Sequence, residues 1–128
     1  MLADGRAQLG DLEGALLVIG EAIVQIEKPG WEERYYYAET LRIKGWLLSL
    51  QGDSAGAERA YIASLAWART QHAKSWELRT ATSYARLLRD QGRAREAGAL
   101  LAPIYGWFTE GFDTADLTEA NGLLNEVR

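Results

Sequence analysis

The residues able to carry chemistry are few. His72 is the sole histidine and the chain has no cysteine, which excludes sites built on two imidazoles, a thiolate nucleophile or thiolate zinc ligands. His72 falls near an expected helix end, where a cation is favoured, and needs no catalytic role. Glu32-Glu33 falls in an expected first helical turn, where acids favour the helix dipole, and no carboxylate pair has an evident pocket. Ser75, Thr82 and Ser83 have no base nearby in sequence to activate them. A metal site would have to use carboxylates alone, and no loop carries that spacing. The expectation is a chain that is not an enzyme, with no catalytic residue, no metal and no cofactor. The consecutive aromatics Tyr35, Tyr36 and Tyr37 are the other candidates. Successive helical residues point about 100° apart, so the three cannot share a face and at least one ring should be partly exposed. With Trp31 and Trp46 they would make an aromatic anchor for a partner. Core packing between helices, with the hydroxyls reaching water, accounts for the same residues.

The elements behind these positions are helical. The 128 residues make one domain or a few small repeats, long enough to bury a core without disulfides. Hydrophobic residues at 48% and charged residues at 25% exclude a disordered chain. Two prolines and many Ala, Leu, Glu and Arg favour helix over sheet. A net charge of −4 gives no electrostatic reason to expect nucleic acid as a partner. The most apolar stretch, Leu12 to Ile26, contains Glu13, Glu21 and Gln25 and is too short and too charged to cross a bilayer. The start, Met1-Leu2-Ala3-Asp4-Gly5-Arg6, lacks the apolar middle of a signal peptide. A cytoplasmic location and no membrane partner are expected.

An internal repeat organises the chain. Gly10-Asp11-Leu12-Glu13-Gly14-Ala15 aligns with Gly52-Asp53-Ser54-Ala55-Gly56-Ala57 and with Gly92-Arg93-Ala94-Arg95-Glu96-Ala97, at spacings of 42 and 40 residues. Ile19, Tyr61 and Leu101 follow the three glycines by nine positions; Leu48 and Leu88 precede the last two by four, and Gly45 and Ala85 by seven. This pattern fits a helix ended by a left-handed glycine, a tight turn and a second helix. Asp11 and Asp53 can cap the following helix, and Arg93 breaks that pattern. Gly45, Ala85, Ala15, Ala57 and Ala97 suit close approach of paired helices. Leu78, Ala81, Ala85 and Leu88 step by three and four, and no sustained two-residue alternation supports strands. The expected layout is a half-repeat over 1–28, with helix 11–28 ended by Pro29-Gly30. Hairpins follow over 33–71 and 75–110, the second closed by Gly111, and then a capping helix over 114–127 that Asp113 or Thr114 opens. Trp107, Phe108 and Phe112 are expected to seat that last helix, with Leu117, Leu123 and Leu124 opposite. A half-repeat cannot bury its apolar face alone, so Leu16, Val18, Ile19 or Ile23 should be exposed at one end.

The glycine–alanine spacing, the small residue seven before each glycine and the large one nine after resemble tetratricopeptide repeats. That resemblance implies an all-α, right-handed α-solenoid of about two and a half helix hairpins plus a C-terminal capping helix. More specific stretches are Trp31…Tyr37-Ala38-Glu39…Arg42-Ile43-Lys44-Gly45, Ser75-Trp76-Glu77-Leu78-Arg79, Ala85-Arg86-Leu87-Leu88-Arg89-Asp90-Gln91-Gly92 and Tyr105-Gly106-Trp107-Phe108-Thr109-Glu110-Gly111-Phe112-Asp113-Thr114. They are similar to the C-terminal repeat tail of bacterial adenylate-cyclase-related regulators, in which class III cyclase and ATPase domains precede the repeats. The likeness covers nearly the whole chain. The sequence departs from the family in having neither of those domains and no Gly-x-x-x-x-Gly-Lys-Ser/Thr phosphate loop, so no catalytic residue carries over.

In the tetratricopeptide pattern the concave face falls three, six, ten and thirteen residues before the glycine. The resemblance therefore implies a partner-binding groove of Glu39, Arg42, Trp46 and Ser49 on one hairpin and Arg79, Thr82, Arg86 and Arg89 on the next. Guanidinium groups take carboxylates through paired hydrogen bonds, so an acidic protein or peptide fits that groove. A solvated helix face laced with Arg–Glu pairs is the competing account of the same arginines. The expected function is a non-catalytic protein-interaction or regulatory module. Its partners under the family resemblance are the upstream ATPase or cyclase domains of the same regulator, or a signalling protein. A homodimerisation element using the N-terminal half-repeat, and a small-ligand sensor using the aromatics near Tyr35 to Tyr37 and Trp46, are the alternatives.

Overall fold

The computed structural model describes residues 12–27, 37–108 and 114–127. Among them lie six helices and no strand: α1 Leu12–Glu27, α2 Tyr37–Leu50, α3 Ser54–Thr70, α4 Lys74–Asp90, α5 Ala94–Tyr105 and α6 Ala115–Val127. The all-α expectation holds; within the expected hairpin spans 33–71 and 75–110 the described residues hold α2 and α3, and α4 and α5. The half-repeat's residues 1–11, the Pro29-Gly30 stop, Glu32-Glu33, Trp31, Tyr35, Tyr36, Gly111, Phe112 and Asp113 lie outside the described residues.

Three turns of one design connect α2 to α5. Gln51-Gly52-Asp53, Gln71-His72-Ala73 and Gln91-Gly92-Arg93 follow one another at twenty-residue intervals. In each, the middle residue donates its N–H three residues back and the third residue donates five back, as Gly52 to Ser49 and Asp53 to Leu48 do at 3.1 and 2.9 Å. This closure satisfies helix-end carbonyls and requires a left-handed residue in the middle. Gly52 and Gly92 supply it with φ of 91° and 77°; His72 supplies it with φ 55°. The glycine repeat thus marks the turns inside each hairpin, while the joint between hairpins uses the same backbone without a glycine. Asp53 caps α3 by accepting from the Gly56 N–H at 2.9 Å, whereas Arg93 makes no side-chain cap at α5.

Small residues let the helices close on one another. A Cβ on Gly45 would sit 2.6 Å from the Tyr61 ring, so α2 and α3 approach only because that position is bare. Tyr61 in turn stacks on Tyr84 of α4 at 5.8 Å. Ala15, Ala57, Ala85 and Ala97 are fully buried. Ser64 of α3 donates to the Ala38 carbonyl of α2 at 2.6 Å and pairs with the Thr80 hydroxyl of α4 at 2.8 Å, which ties three helices at one buried point. Helix α1 packs on α2, burying Ala15, Ile19 and Ile23 with Leu41, Ile43 and Leu47. Leu78, Ala81, Ala85 and Leu88 of α4 share a core with Leu101 and Ile104 of α5 and Leu117, Ala120 and Leu124 of α6.

Helices α2, α4 and α6 stand side by side. Glu39 meets Arg79 and Arg42 meets Ser83; Arg79 meets Asp116 and Arg89 meets Glu126. Partner numbers rise together along each pair, so the three helices run in one direction. Leu117, Ala120, Leu124 and Val127 also repeat the spacing of Leu78, Ala81, Ala85 and Leu88, thirty-nine residues on. The expected capping helix therefore carries the register of a first helix of a hairpin.

Three expectations need correction. Helix α5 ends at Tyr105 rather than near residue 110: Pro103 lacks a backbone donor, and Trp107 and Phe108 take short three-residue bonds to Ile104 and Tyr105. Ile19 and Ile23 are buried against α2, and the large apolar residue of α1 exposed among the described side chains is Leu17, at 65%. Phe108 packs on the core beneath α6, but Trp107 is 45% exposed and lies under the Lys74 ammonium. Among the described residues no helix is long and apolar enough to cross a membrane.

Candidate functional site

A cleft of about 260 Å³ opens where α2, α4 and α6 meet, lined by Arg42, Arg79, Thr82, Ser83, Arg86, Asp116 and Glu119. Its arginines are placed by helical geometry. Arg79 and Arg86 are two turns apart and so share a face of α4, and Arg42 reaches the same cleft from α2. Of the eight groove residues expected from sequence, the structure brings Arg42, Thr82, Arg79 and Arg86 to the cleft, with Glu39 bonded to two of them.

Every one of these guanidinium groups holds a carboxylate. Arg42 grips Glu39 through two bonds, Nε at 3.0 Å and Nη2 at 2.6 Å. Arg79 bridges helices, with Nη1 3.3 Å from Glu39 and Nη2 3.0 Å from Asp116. Arg86 pairs with Glu119. Burial by itself would raise the Glu39 carboxyl, but hydrogen bonds and charge from Arg42 and Arg79 outweigh it and hold the group below the usual carboxylate range. The cleft thus balances three arginines with Glu39, Asp116 and Glu119. The balance is unequal in burial: the Glu39 side chain is 15% exposed, Asp116 34% and Glu119 54%. Glu39 is a fixed part of the wall. Glu119 makes an exposed pair worth about 0–1 kcal/mol, and exchanging it for another carboxylate costs little; Asp116 is half-buried in its pair with Arg79.

The remaining expected residues behave differently. Thr82 is buried and its hydroxyl donates to the Leu78 carbonyl at 2.9 Å, so it shapes the wall without offering a donor. Arg89 lies further along α4, paired with Asp90 at 3.0 Å and with Glu126. Trp46 packs against the α1–α2 core rather than the cleft, and Ser49 is half-buried outside the cleft lining. Tyr37 is half-buried edge-on to Trp67 at 5.3 Å, which supports core packing over a free anchor. Ser83, Asp116 and Glu119 were not among the expected site residues. The Leu117–Val127 register was the signal that could have found the two acids, because it sets α6 beside α4 and its acids beside the arginines. Among the described residues no cluster of three or more His, Asp or Glu is arranged to hold a metal. Comparison with protein-family models, curated proteins and solved structures finds no match to this chain.

Proposed function

We propose that this chain is a non-catalytic protein-interaction or regulatory module, a right-handed solenoid of tetratricopeptide-like hairpins whose arginine face takes the carboxylates of an acidic partner segment. The observation that carries the reading is the cleft itself: Arg42, Arg79 and Arg86 converge from two helices, and of the three acids they hold Glu119 is exposed and exchangeable while Asp116 is half-buried. A partner carboxylate would displace the Glu119 side chain from Arg86 while the buried leucines of α6 stay in place. The resemblance to cyclase-related regulators supports their ATPase or cyclase domains as partners, and a cytoplasmic setting accords with it. Affinity capture with the wild-type chain and an Arg79→Gln/Arg86→Gln form tests the reading. The expected result is a partner kept by the first and lost by the second, crosslinked to the cleft through an acidic segment. Equal capture by both contradicts it.

Self-association is a second reading, supported by the exposure of Leu17 on α1. A mass that rises with concentration in the wild type and not in Leu17→Glu supports it; a monomer at high concentration excludes it.

A further inference from the structure

The joint between the two hairpins carries a second concave region with its own lining. Two cavities, of about 660 and 350 Å³, share His72 and Lys74. Gln71, Ala73, Ser75 and Trp76 complete the first, and Arg69, Glu77 and Trp107 the second. Both volumes lie in or near the range of small-molecule sites.

Three groups here have unmet capacity. Lys74 sits 5.8 Å over the Trp107 ring, and among the described residues it has no carboxylate partner; nearby Glu77 is already committed to Arg69 at 2.7 Å. Trp107 presents an exposed indole at the same place. The Gln71 side-chain oxygen is buried and has no hydrogen-bond partner among the described residues. A buried acceptor without a donor is costly, and a ligand that supplies one recovers that cost. His72 adds a fourth sign. The two equivalent turns use glycine, whereas this one holds a histidine in the left-handed region and sets it against both cavities. Backbone strain kept where glycine would relieve it is concentrated at functional positions.

We propose that the α3–α4 joint binds a small aromatic carboxylate that bears an N–H donor. The ring stacks on the Trp107 side of the cavities, the carboxylate pairs with Lys74, and the Gln71 side chain turns its oxygen, inaccessible to solvent in the unliganded chain, towards the N–H. This site is independent of the arginine cleft and stands or falls separately from it.

The test is an NMR titration of the intact chain, reading the indole N–H signals of its five tryptophans. The probes are 4-aminobenzoate, benzoate and aniline. Saturable shifts confined to Trp76 and Trp107 are expected with 4-aminobenzoate, with weaker binding of benzoate and none of aniline. Lys74→Glu should weaken 4-aminobenzoate at least tenfold, and an acid in this first helical turn favours the fold. Lys74→Gln serves the same purpose if the other three indole signals show that the reversal disturbs it. Gln71→Met should weaken 4-aminobenzoate and leave benzoate unchanged. Shifts without saturation, shifts shared by all five tryptophans, or unchanged affinity in the folded Lys74 variant overturn the proposal.

Discussion

Arg79 shows how much one side chain does in this molecule. Its two terminal nitrogens hold acids from different helices, Glu39 of α2 and Asp116 of α6, and its own helix also supplies Thr82, Ser83 and Arg86 to the cleft wall. That makes Glu39 the acid with most to lose on protonation. Its folded pKa lies below the ordinary 4.5, so its contribution to stability is present above that value and disappears as pH falls through the lowered one. The melting-temperature gap between wild type and Glu39→Gln should hold steady near neutral pH and close on acidification below about pH 4.5; a gap that widens instead would mean that the pairing does not stabilise the fold. The arginines were legible in the sequence because the tetratricopeptide resemblance assigns those offsets before each glycine to one face of the paired helices. Their partners were not, because Asp116 and Glu119 lie 37 and 33 residues from the arginines they meet, and only tertiary packing brings them together.

At the scale of helices and turns, the same substitution should have opposite effects at two glycines. Gly20 in α1 has open space where a Cβ would stand, so Gly20→Ala should stabilise by about 0.5–1 kcal/mol through helix propensity. Gly45 faces Tyr61, whose ring is buried and stacked on Tyr84 and cannot withdraw. Gly45→Ala should destabilise by about 1–3 kcal/mol, as overpacking of a tight contact does. Thermal or denaturant unfolding of the two variants side by side reads the difference. His72→Gly should raise stability by about 0.5–1 kcal/mol, since glycine adopts φ 55° without a side-chain penalty. The turns at Gly52 and Gly92 were legible because glycine announces a left-handed residue. The turn at His72 was placed only by the change of helix, since no residue type there signals that conformation. The early end of α5 was missed for a related reason: Gly106 and Gly111 both offer a stop, and Pro103 tilts the outcome towards the first.

The whole molecule is a row of helices whose ends differ. At one end α6 turns Thr118, Glu119, Asn121, Asn125 and Glu126 to solvent and buries Leu117, Leu123 and Leu124. Towards the other end Leu17 stands exposed on α1. Because the α6 leucines belong to the same core as Leu78 and Leu101, α6 should unfold with α4 and α5 rather than before them. Leu124→Ala should cost about 2–5 kcal/mol and lower a single cooperative transition; a separate early transition would show that α6 is a detachable appendage. The repeat and its helices were readable from one-dimensional spacing, while the closing of the arginine face by α6 depends on three-dimensional register that only the Leu117–Val127 pattern hinted at. Whether that face accepts an outside acid is the central question. The direct measurement is an NMR titration that follows the side-chain N–H signals of Arg42, Arg79 and Arg86 in the intact chain. A short glutamate-rich peptide is added, and then its glutamine counterpart. The account predicts saturable shifts at Arg79 and Arg86 with the acidic peptide, weakened by added salt and lost with glutamine. Arginine signals that stay still, or that move equally with both peptides, would contradict it.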